Sequence, residues 1–404
     1  MKTRYGVSPW VAGVPDARRP SFDRFRGELS TEVAIIGGGL TGCALAFSLA
    51  AAGFRPVVLE ADRIGQSGAG RASGLMLPDP GPPFRDVQQK YGLRAARAIF
   101  EMWRRASLDG AALLRRASVK CQLAQAESLL VTPLKDEKTL QREHEARQAA
   151  GVESSWLSLK QARAASWLEW GPALRIRAGF TLDPYRACIG LAGAAVKRRA
   201  SIFERSPVRK VRAAAKDVEI TLDGGTIRAS TVVVATGAAT AEFKPLRRHF
   251  KPRLSHLVLT EPVGAALRKR LVPEAAILRD TLTPPHRLRW AGDHRLLISG
   301  ADQNEIPAKR RDATRVQRTG QLMYELLMMY PDIAGLQPEF GWEVPYGATA
   351  DGLPYIGPHR NYPRHLFALG GDDSSTGAFL SARLLTRRLQ DQPQKGDEVF
   401  GWTR

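Results

Sequence analysis

The fold is decided by one glycine-rich segment near the start of the chain. Its sequence is Val33-Ala34-Ile35-Ile36-Gly37-Gly38-Gly39-Leu40-Thr41-Gly42. The apolar start predicts a strand, and the small apolar residues of 43–52, closed by Gly53, predict a helix. A second apolar run over 57–59 predicts another strand, which ends at Glu60. The glycines between the first strand and the helix have the GxGxxG spacing, so the segment predicts a βαβ unit that binds a dinucleotide.

Each part of this motif has a physical task. Gly37 permits the sharp turn, Gly39 lets the backbone approach a pyrophosphate, and Gly42 lets the helix lie close to the strand. The N-terminus of the helix offers unpaired N–H groups and a partial positive charge to the phosphates. Glu60 is placed to accept hydrogen bonds from a ribose diol. The spacing alone does not distinguish NAD from FAD.

Length and charge narrow the class of protein. At 404 residues the chain is longer than one typical domain, so two domains are expected. The 60 Lys and Arg residues against 40 Asp and Glu residues give a net charge of +20, which nucleic-acid or anionic-membrane binding could explain. The arginines are scattered, however, and no basic run is interleaved with aromatic residues. We therefore expect no nucleic-acid partner, and attribute the charge to an arginine-rich proteome together with attraction for an anionic cofactor or substrate.

Cysteine use and apolar runs bear on the compartment. Three widely spaced cysteines, Cys43, Cys121 and Cys188, predict neither a disulfide framework nor a metal site, as is typical of a cytoplasmic protein. Residues 1–27 are mostly polar and predict no signal peptide. The apolar run of 43–52 is too short to span a membrane, so no membrane span is expected.

The remainder of the chain predicts a second domain inserted into the first. Helical periodicity covers 87–117, and further helices are expected over 136–150, 185–199, 311–329 and 376–390. A strand pair is expected at 120–132, and the strand-like pieces between 251 and 330 alternate as in an antiparallel sheet. The apolar run from Thr231 ends in Thr236-Gly237, which suits a buried parallel strand whose end faces a ligand. The glycine-rich loop 65–74 suggests backbone wrapped around that ligand.

These motifs, in this order, resemble the FAD-dependent amine and amino-acid oxidoreductases, the group of D-amino-acid oxidase, glycine oxidase and sarcosine oxidase. The resemblance covers nearly the whole chain. Beyond the first motif it rests on Val58-Leu59-Glu60, Gly68 to Gly74, Leu182-Asp183-Pro184, Val234-Ala235-Thr236-Gly237, Asp351-Gly352-Leu353-Pro354-Tyr355-Ile356-Gly357 and Ala368-Leu369-Gly370-Gly371.

The resemblance implies an α/β fold: a Rossmann-type FAD-binding domain with an inserted antiparallel-sheet α+β substrate domain. The FAD-binding domain would comprise 28–85, 180–245 and 335–404, and the substrate domain 86–179 and 246–334. FAD would be bound non-covalently, with the N-terminus of the last helix directed at the flavin. The implied cofactor-binding residues are Gly37, Gly39, Leu40, Thr41, Gly42, Glu60, Ala61, Arg71, Ala72, Ser73, Gly74, Val208, Thr236, Gly237, Gly371, Ser374 and Thr376.

The implied reaction is oxidation of a CH–NH bond in a small amine or amino acid, with hydride transfer to flavin N5 and O2 or another electron acceptor. Arg287 and Arg289 would lie on one face of a strand, where they could clamp a carboxylate or simply face solvent. His256 could lie over the flavin or be a structural histidine. No catalytic metal is expected. A dehydrogenase with a non-oxygen acceptor, or a flavin-binding protein with weak catalysis, is the alternative.

Two segments depart from the pattern of the family. Relatives usually carry Arg-Asn-Gly-Gly where this chain has Arg71-Ala72-Ser73-Gly74, and a glycine-rich turn where it has Gly371-Asp372-Asp373-Ser374-Ser375-Thr376. The two acids could cap the last helix, which is the more ordinary role, or bind a cationic amine, so Asp373 is a candidate catalytic residue. The weak-catalysis alternative depends on these departures.

Overall fold

The computed structural model describes residues 2–372 and 374–404. In that part of the chain the strands are β1 Arg4–Tyr5, β2 Gly27–Ile36, β3 Val57–Leu59, β4 Leu75–Met76, β5 Ala124–Val131, β6 Ser155–Leu157, β7 Ala173–Thr181, β8 Ser201–Phe203, β9 Val208–Ala213, β10 Val218–Leu222, β11 Gly225–Gly237, β12 Lys251–Thr260, β13 Ala276–Asp280, β14 Arg287–Ala291, β15 Arg295–Asn304, β16 Pro338–Ala348, β17 Tyr355–His359 and β18 Tyr362–Leu369. The α-helices are α1 Pro9–Ala12, α2 Leu40–Ala51, α3 Phe84–Arg116, α4 Glu137–Ala149, α5 Leu159–Ser166, α6 Pro184–Val196, α7 Ala265–Arg268, α8 Ala308–Met329 and α9 Thr376–Leu389.

The first sheet has a parallel centre and contains the glycine-rich motif. Its order is β17-β18-β11-β2-β3-β8, and the five strands from β18 to β8 are parallel. Strands β9 and β10 extend it as an antiparallel ribbon on β11. Helices α2, α6 and α9 pack side by side over one face. Because helices and a second apolar cluster cover both faces, the central strands are continuous apolar runs rather than alternating ones.

The second sheet is mostly antiparallel and forms the inserted domain. Its order is β1-β16-β12-β15-β14-β13-β5-β7-β4, with β6 paired to β7. Helix α8 covers one face, where Leu322 and Leu326 pack among apolar residues of β12 to β15. The other face, which we call the cleft face, turns toward the first domain. There Leu257 and Trp342 pack against Trp10 and Tyr185.

The predicted fold class is confirmed, and most predicted helices lie within a few residues of the observed ones. The strand pair expected at 120–132 is wrong: the segment holds the single strand β5, whose partners are β7 and β13. Strands β4 and β16, which pair within the second sheet, lie in segments predicted for the FAD-binding domain. No helix among the described residues is long and apolar enough to cross a membrane.

Candidate functional site

The turn after β2 has the geometry of a dinucleotide-binding turn. Gly37 has φ +111°, and a Cβ there would lie 2.5 Å from the carbonyl oxygen of Ala235. A Cβ on Gly42 would collide with the carbonyl oxygen of Gly37. At Gly39 the result is different, because nothing lies within 4 Å of the Cβ position. The first two glycines are therefore required by the protein itself, whereas Gly39 borders open space that a ligand can enter.

Helix α2 begins at this open space, and no side chain caps its first turn. Gly39 is its N-cap, no side chain bonds the first turn, and the first turn carries no acid. The N–H groups of Leu40, Thr41 and Gly42 have no acceptor within the helix by geometry, so they suit the oxygens of a pyrophosphate. The first turn of α2 has no side-chain cap, and no atom crowds Gly39, so a dinucleotide pyrophosphate fits against this helix start.

Glu60 lies at the end of β3, beside the same turn. Its Oε2 accepts the Gly38 N–H at 2.7 Å, and its Oε1 accepts the Asp62 N–H at 2.9 Å. The carboxylate is thus held at the turn while Ala61, next in the chain, is exposed. The carbonyl of Glu60 accepts the N–H of Ser206, two residues before Val208. These contacts place the expected cofactor-binding residues Glu60, Ala61 and Val208 within one corner of the first sheet.

The second half of the chain reaches this corner through the end of β11. Gly237 has φ +76°, and its carbonyl accepts the N–H of Gly370 at 2.8 Å. The Thr236 hydroxyl donates to the carbonyl of Ala238 at 2.7 Å. Since Ala235 also lies against Gly37, the glycine turn, the end of β11 and the end of β18 meet at one edge of the parallel sheet. This is the edge at which open α/β sheets bind ligands.

The loop Arg71-Ala72-Ser73 is held by three side chains that donate to three successive carbonyls. The Trp342 indole donates to Arg71 at 2.7 Å, the Trp10 indole to Ala72 at 2.9 Å, and the Arg289 Nε to Ser73 at 2.8 Å. Each donor comes from a different part of the chain. The backbone of this loop is therefore fixed, although its sequence departs from the family pattern.

Gly74, which follows, is fixed by crowding. It has φ +69°, and a Cβ there would meet the carbonyl oxygen of Leu182 and lie 2.6 Å from Arg289 Nη2. Its own carbonyl accepts the Leu182 N–H at 2.9 Å. Only glycine suits this position, so the loop passes into β4 at a point where three segments converge.

The start of α9 lies beside β4. Ser375 is the N-cap, its N–H donates to Leu75 at 2.7 Å, and the Thr376 hydroxyl donates to Leu77 at 2.9 Å. No side chain caps the helix, and the buried Ser375 hydroxyl has no hydrogen-bond partner in the described part of the chain. An uncapped helix start stabilises negative charge, as reduced flavin would carry.

The loop before α9 corrects one expectation. Asp372 does not cap the helix: its Oδ1 accepts the Ser374 N–H at 3.0 Å, outside α9, and its Oδ2 accepts from Arg287 Nη2 at 2.8 Å. Gly371, just before it, has φ +123°. Asp373 lies outside the described residues. Asp372 is therefore a bridge from the first domain to the second sheet.

Arg287 and Arg289 both lie on the cleft face, since the intervening Leu288 packs under α8. Arg289 is buried, donates also to the carbonyl of Leu182 at 3.0 Å, and lies over the Trp10 ring. Burial lowers its pKa to about 10. It holds the loop in place rather than facing a substrate.

His256 is placed apart from the other candidates. Neighbouring Leu257 is on the cleft face, so His256 points to the α8 face. The charges that act on its ring are those of Glu343, Arg318, Asp302 and Arg315. Burial lowers the pKa of His256 to about 4. Neither ring nitrogen has a hydrogen-bond partner among the described residues. The structure therefore does not place it over the flavin site, and we do not include it in the proposed site.

Several residues of the cleft were missed from the sequence. Arg279 on β13 stands directly opposite Arg287 and lies 2.8 Å from Asp79, which follows β4. Ser255 and Ser299 lie on the cleft face, and their buried hydroxyls have no partner in 2–372 or 374–404. Side chains alternate between the two faces of the sheet along β12 to β15. The alternation would have identified these residues if the face of the sheet that meets the first domain had been known. Nothing in the sequence marks Trp10 and Trp342 as donors to the loop.

Comparisons with known proteins agree with this geometry. A family model described as FAD dependent oxidoreductase matches residues 32–388. Gamma-glutamylputrescine oxidoreductase of Escherichia coli is 25% identical over 386 residues, covering 93% of this chain and 87% of that protein. Among solved structures, glycine oxidase from Geobacillus kaustophilus has a TM-score of 0.75 at 20% identity, with 93% and 99% of the two chains covered. L-proline dehydrogenase from P. horikoshii has a TM-score of 0.73 at 18% identity, with 93% and 97% covered.

The family model spans most of the chain, and the uncapped start of α2, the space at Gly39 and the held carboxylate of Glu60 fit the ADP half of FAD. The fixed loop 71–74 and the start of α9 fit the flavin half. The chain belongs to the FAD-dependent oxidoreductases.

Proposed function

We propose that this protein oxidises the CH–NH bond of a small amine or amino acid to an imine, which water then hydrolyses. The observation that carries the proposal is the polar cleft face opposite the start of α9. That face holds three polar side chains that are buried or nearly buried, those of Arg287, Ser255 and Ser299. Neither serine hydroxyl has a hydrogen-bond partner among the described residues. Buried polar groups cost free energy unless they are hydrogen-bonded, so a polar ligand is expected there.

The chain's own residues would bind and orient the substrate. When bound, FAD supplies the acceptor for the hydride that leaves the carbon. The nitrogen lone pair then forms the C=N bond, and the N–H proton passes to solvent. The start of α9 favours the negative charge that develops beside it. Leu257 and Trp342, packed at the same face, exclude water, so positioning in a dry cleft does most of the work.

The proposal also covers the electron acceptor that reoxidises the flavin and the cellular compartment of the protein. Similar proteins are named both oxidase and dehydrogenase, so O2 and a non-oxygen acceptor are both included. We propose a cytoplasmic location, supported by three buried free cysteines, Cys43, Cys121 and Cys188.

The test is a screen of the purified protein for flavin and for reduction by amines. We expect denaturation to release FAD, and anaerobic addition of a suitable amine or amino acid to bleach the flavin absorbance. Reoxidation in air, compared with reoxidation by an artificial quinone, would identify the acceptor. A protein that releases no FAD and cannot be reconstituted would overturn the cofactor assignment. A bound flavin that no amine bleaches would instead favour the weak-catalysis alternative.

A further inference from the structure

The arginines of the cleft face bear on the substrate class. Arg279 and Arg287 form a directly opposed cross-strand pair on β13 and β14. Two like charges in that position repel each other, and burial increases the cost. Their side chains are only 7% and 14% exposed. A stable sheet therefore requires one counterion for each arginine.

The opposite domain supplies a counterion to each of these arginines. Asp79 lies 2.8 Å from Arg279, and Asp372 lies 2.8 Å from Arg287. Asp79 is shared with a second buried arginine, Arg147, which Glu143 also pairs. Arg289, on the same strand as Arg287, is buried and donates to the backbone carbonyls of Ser73 and Leu182. The arginines of β13 and β14 are thus paired with carboxylates or backbone carbonyls of the protein itself.

The rest of this face adds acceptors and one further cation. Tyr346, on the face of Trp342, donates to the Oδ2 of Asp302 at 2.6 Å. Arg253 donates to the backbone carbonyl of Asp302 at 3.1 Å. The two charges there offset each other, so this end of the cleft has no marked excess of positive charge.

We infer that Asp372 is a built-in counterion that occupies Arg287, so that the cleft favours amines without a carboxylate over amino acids. This inference rests on the proposed function and specifies its substrate class. A substrate carboxylate at Arg287 would compete with Asp372, and displacing Asp372 would leave an acid unpaired in a partly buried site. Asp372 acts through Arg287 and is a specificity-determining residue.

The first experiment needs no variant. The rate of anaerobic flavin reduction is compared within two matched pairs, ethylamine against alanine and butylamine against 4-aminobutanoate. We expect the amine of a reactive pair to have a kcat/KM at least about tenfold higher, the discrimination that one charge-assisted hydrogen bond provides. A preference for the carboxylated member would overturn the inference and indicate that another cation, such as Arg253, receives the carboxylate. Failure of every amine and amino acid would count against the proposed function itself.

The second experiment measures carboxylate binding without turnover. Acetate is titrated into the FAD-bound protein, and its Kd is read from the change in flavin absorbance. Asp372→Asn removes the charge while its amide oxygen can still accept the Ser374 N–H. We expect acetate to bind about tenfold or more tightly to this variant than to the wild type, and the gain to vanish in the double variant with Arg287→Gln.

The matched control is Asp293→Asn, which makes the same charge change in an exposed turn of the second domain. It should leave the acetate Kd unchanged, because exposed charges are screened. An Asp372→Asn protein that holds FAD but binds acetate no more tightly than the wild type would refute the counterion role. Should that variant lose FAD, the wild-type comparison of matched pairs still decides the question.

Discussion

At the scale of single residues, two glycines of the same turn have opposite reasons to be glycine. Gly42 is required by the protein, since a Cβ would strike the carbonyl oxygen of Gly37. Gly39 has φ −75° and empty space around its Cβ position, so alanine fits the chain itself. Its side-chain space is needed only when a pyrophosphate lies against the backbone.

This difference gives a paired prediction. Gly39→Ala should lower the stability of the apoprotein by no more than about 1 kcal/mol, the cost of alanine at an N-cap. It should weaken FAD binding at least about tenfold, because the methyl group keeps the phosphates from the backbone. Gly42→Ala should lower the stability of the apoprotein by about 1–3 kcal/mol through overpacking. If Gly39→Ala lowered the free energy of unfolding of the apoprotein by as much as it lowered the free energy of FAD binding, this position for the pyrophosphate would be contradicted.

Arg289 is the residue on which the loop beside the flavin depends. Arg289→Ala leaves the buried carbonyls of Ser73 and Leu182 without their charged donor, and each lost bond of this kind costs about 1.5–3 kcal/mol. We expect the free energy of unfolding to fall by about 3 kcal/mol or more. The Kd for FAD should rise in the same variant. Arg163→Ala, at a side chain that is 63% exposed, is the control and should change stability by less than about 1 kcal/mol. Normal stability in Arg289→Ala would show that water replaces the guanidinium.

At the scale of elements, the segment before β17 is fastened to the end of the chain by a buried ion pair. Arg404 Nε lies 2.7 Å from Asp351 Oδ2, and both side chains are almost fully buried. Burial alone would raise the pKa of Asp351, but the hydrogen bond and charge of Arg404, with the Tyr91 hydroxyl, lower it to about 2. The Arg404 guanidinium also lies over the Tyr355 ring.

The lowered pKa gives a pH prediction with a definite sign. The stability from Asp351 is fully present above its unfolded pKa, near 4, and is lost as the pH falls toward 2. Asp351→Asn should therefore destabilise the protein by about 2 kcal/mol at pH 7, and the gap should narrow below about pH 4. Urea unfolding at several pH values measures it, with the exposed Asp312→Asn as the control. A gap that stays constant down to pH 2 would mean that the pair is not ionic.

Elements were predictable where one rule of local structure was enough. The βαβ unit followed from glycine spacing, and α6 followed from Asp183 and Pro184, whose cap is present as an Asp183 bond to the Arg186 N–H at 2.9 Å. The pairing of β5 with β7 and β13 was not predictable, because the partners lie far away in the sequence. For the same reason the position of β16 after α8 did not reveal that β16 pairs with β12 in the second sheet.

At the scale of the whole molecule, the candidate site lies where two sheets face each other, and this is why the sequence revealed only half of it. The nucleotide half is local: Gly37 to Gly42 and Glu60 lie within one unit. The substrate half combines Arg287 with Asp372 and Arg279 with Asp79, pairs joined only by folding. His256 illustrates the limit, since its type suggested catalysis and only the strand's alternation shows that it faces α8.

An anaerobic stopped-flow measurement tests whether this FAD-dependent oxidoreductase oxidises a CH–NH bond in the cleft. The best amine from the screen is mixed with the FAD-bound protein in its ordinary form and with deuterium at the carbon next to nitrogen. We predict that both bleach the flavin completely and that the deuterated amine does so measurably more slowly, because the C–H bond breaks in that step. A fully loaded protein whose flavin stays oxidised with every amine and amino acid offered would contradict the claim.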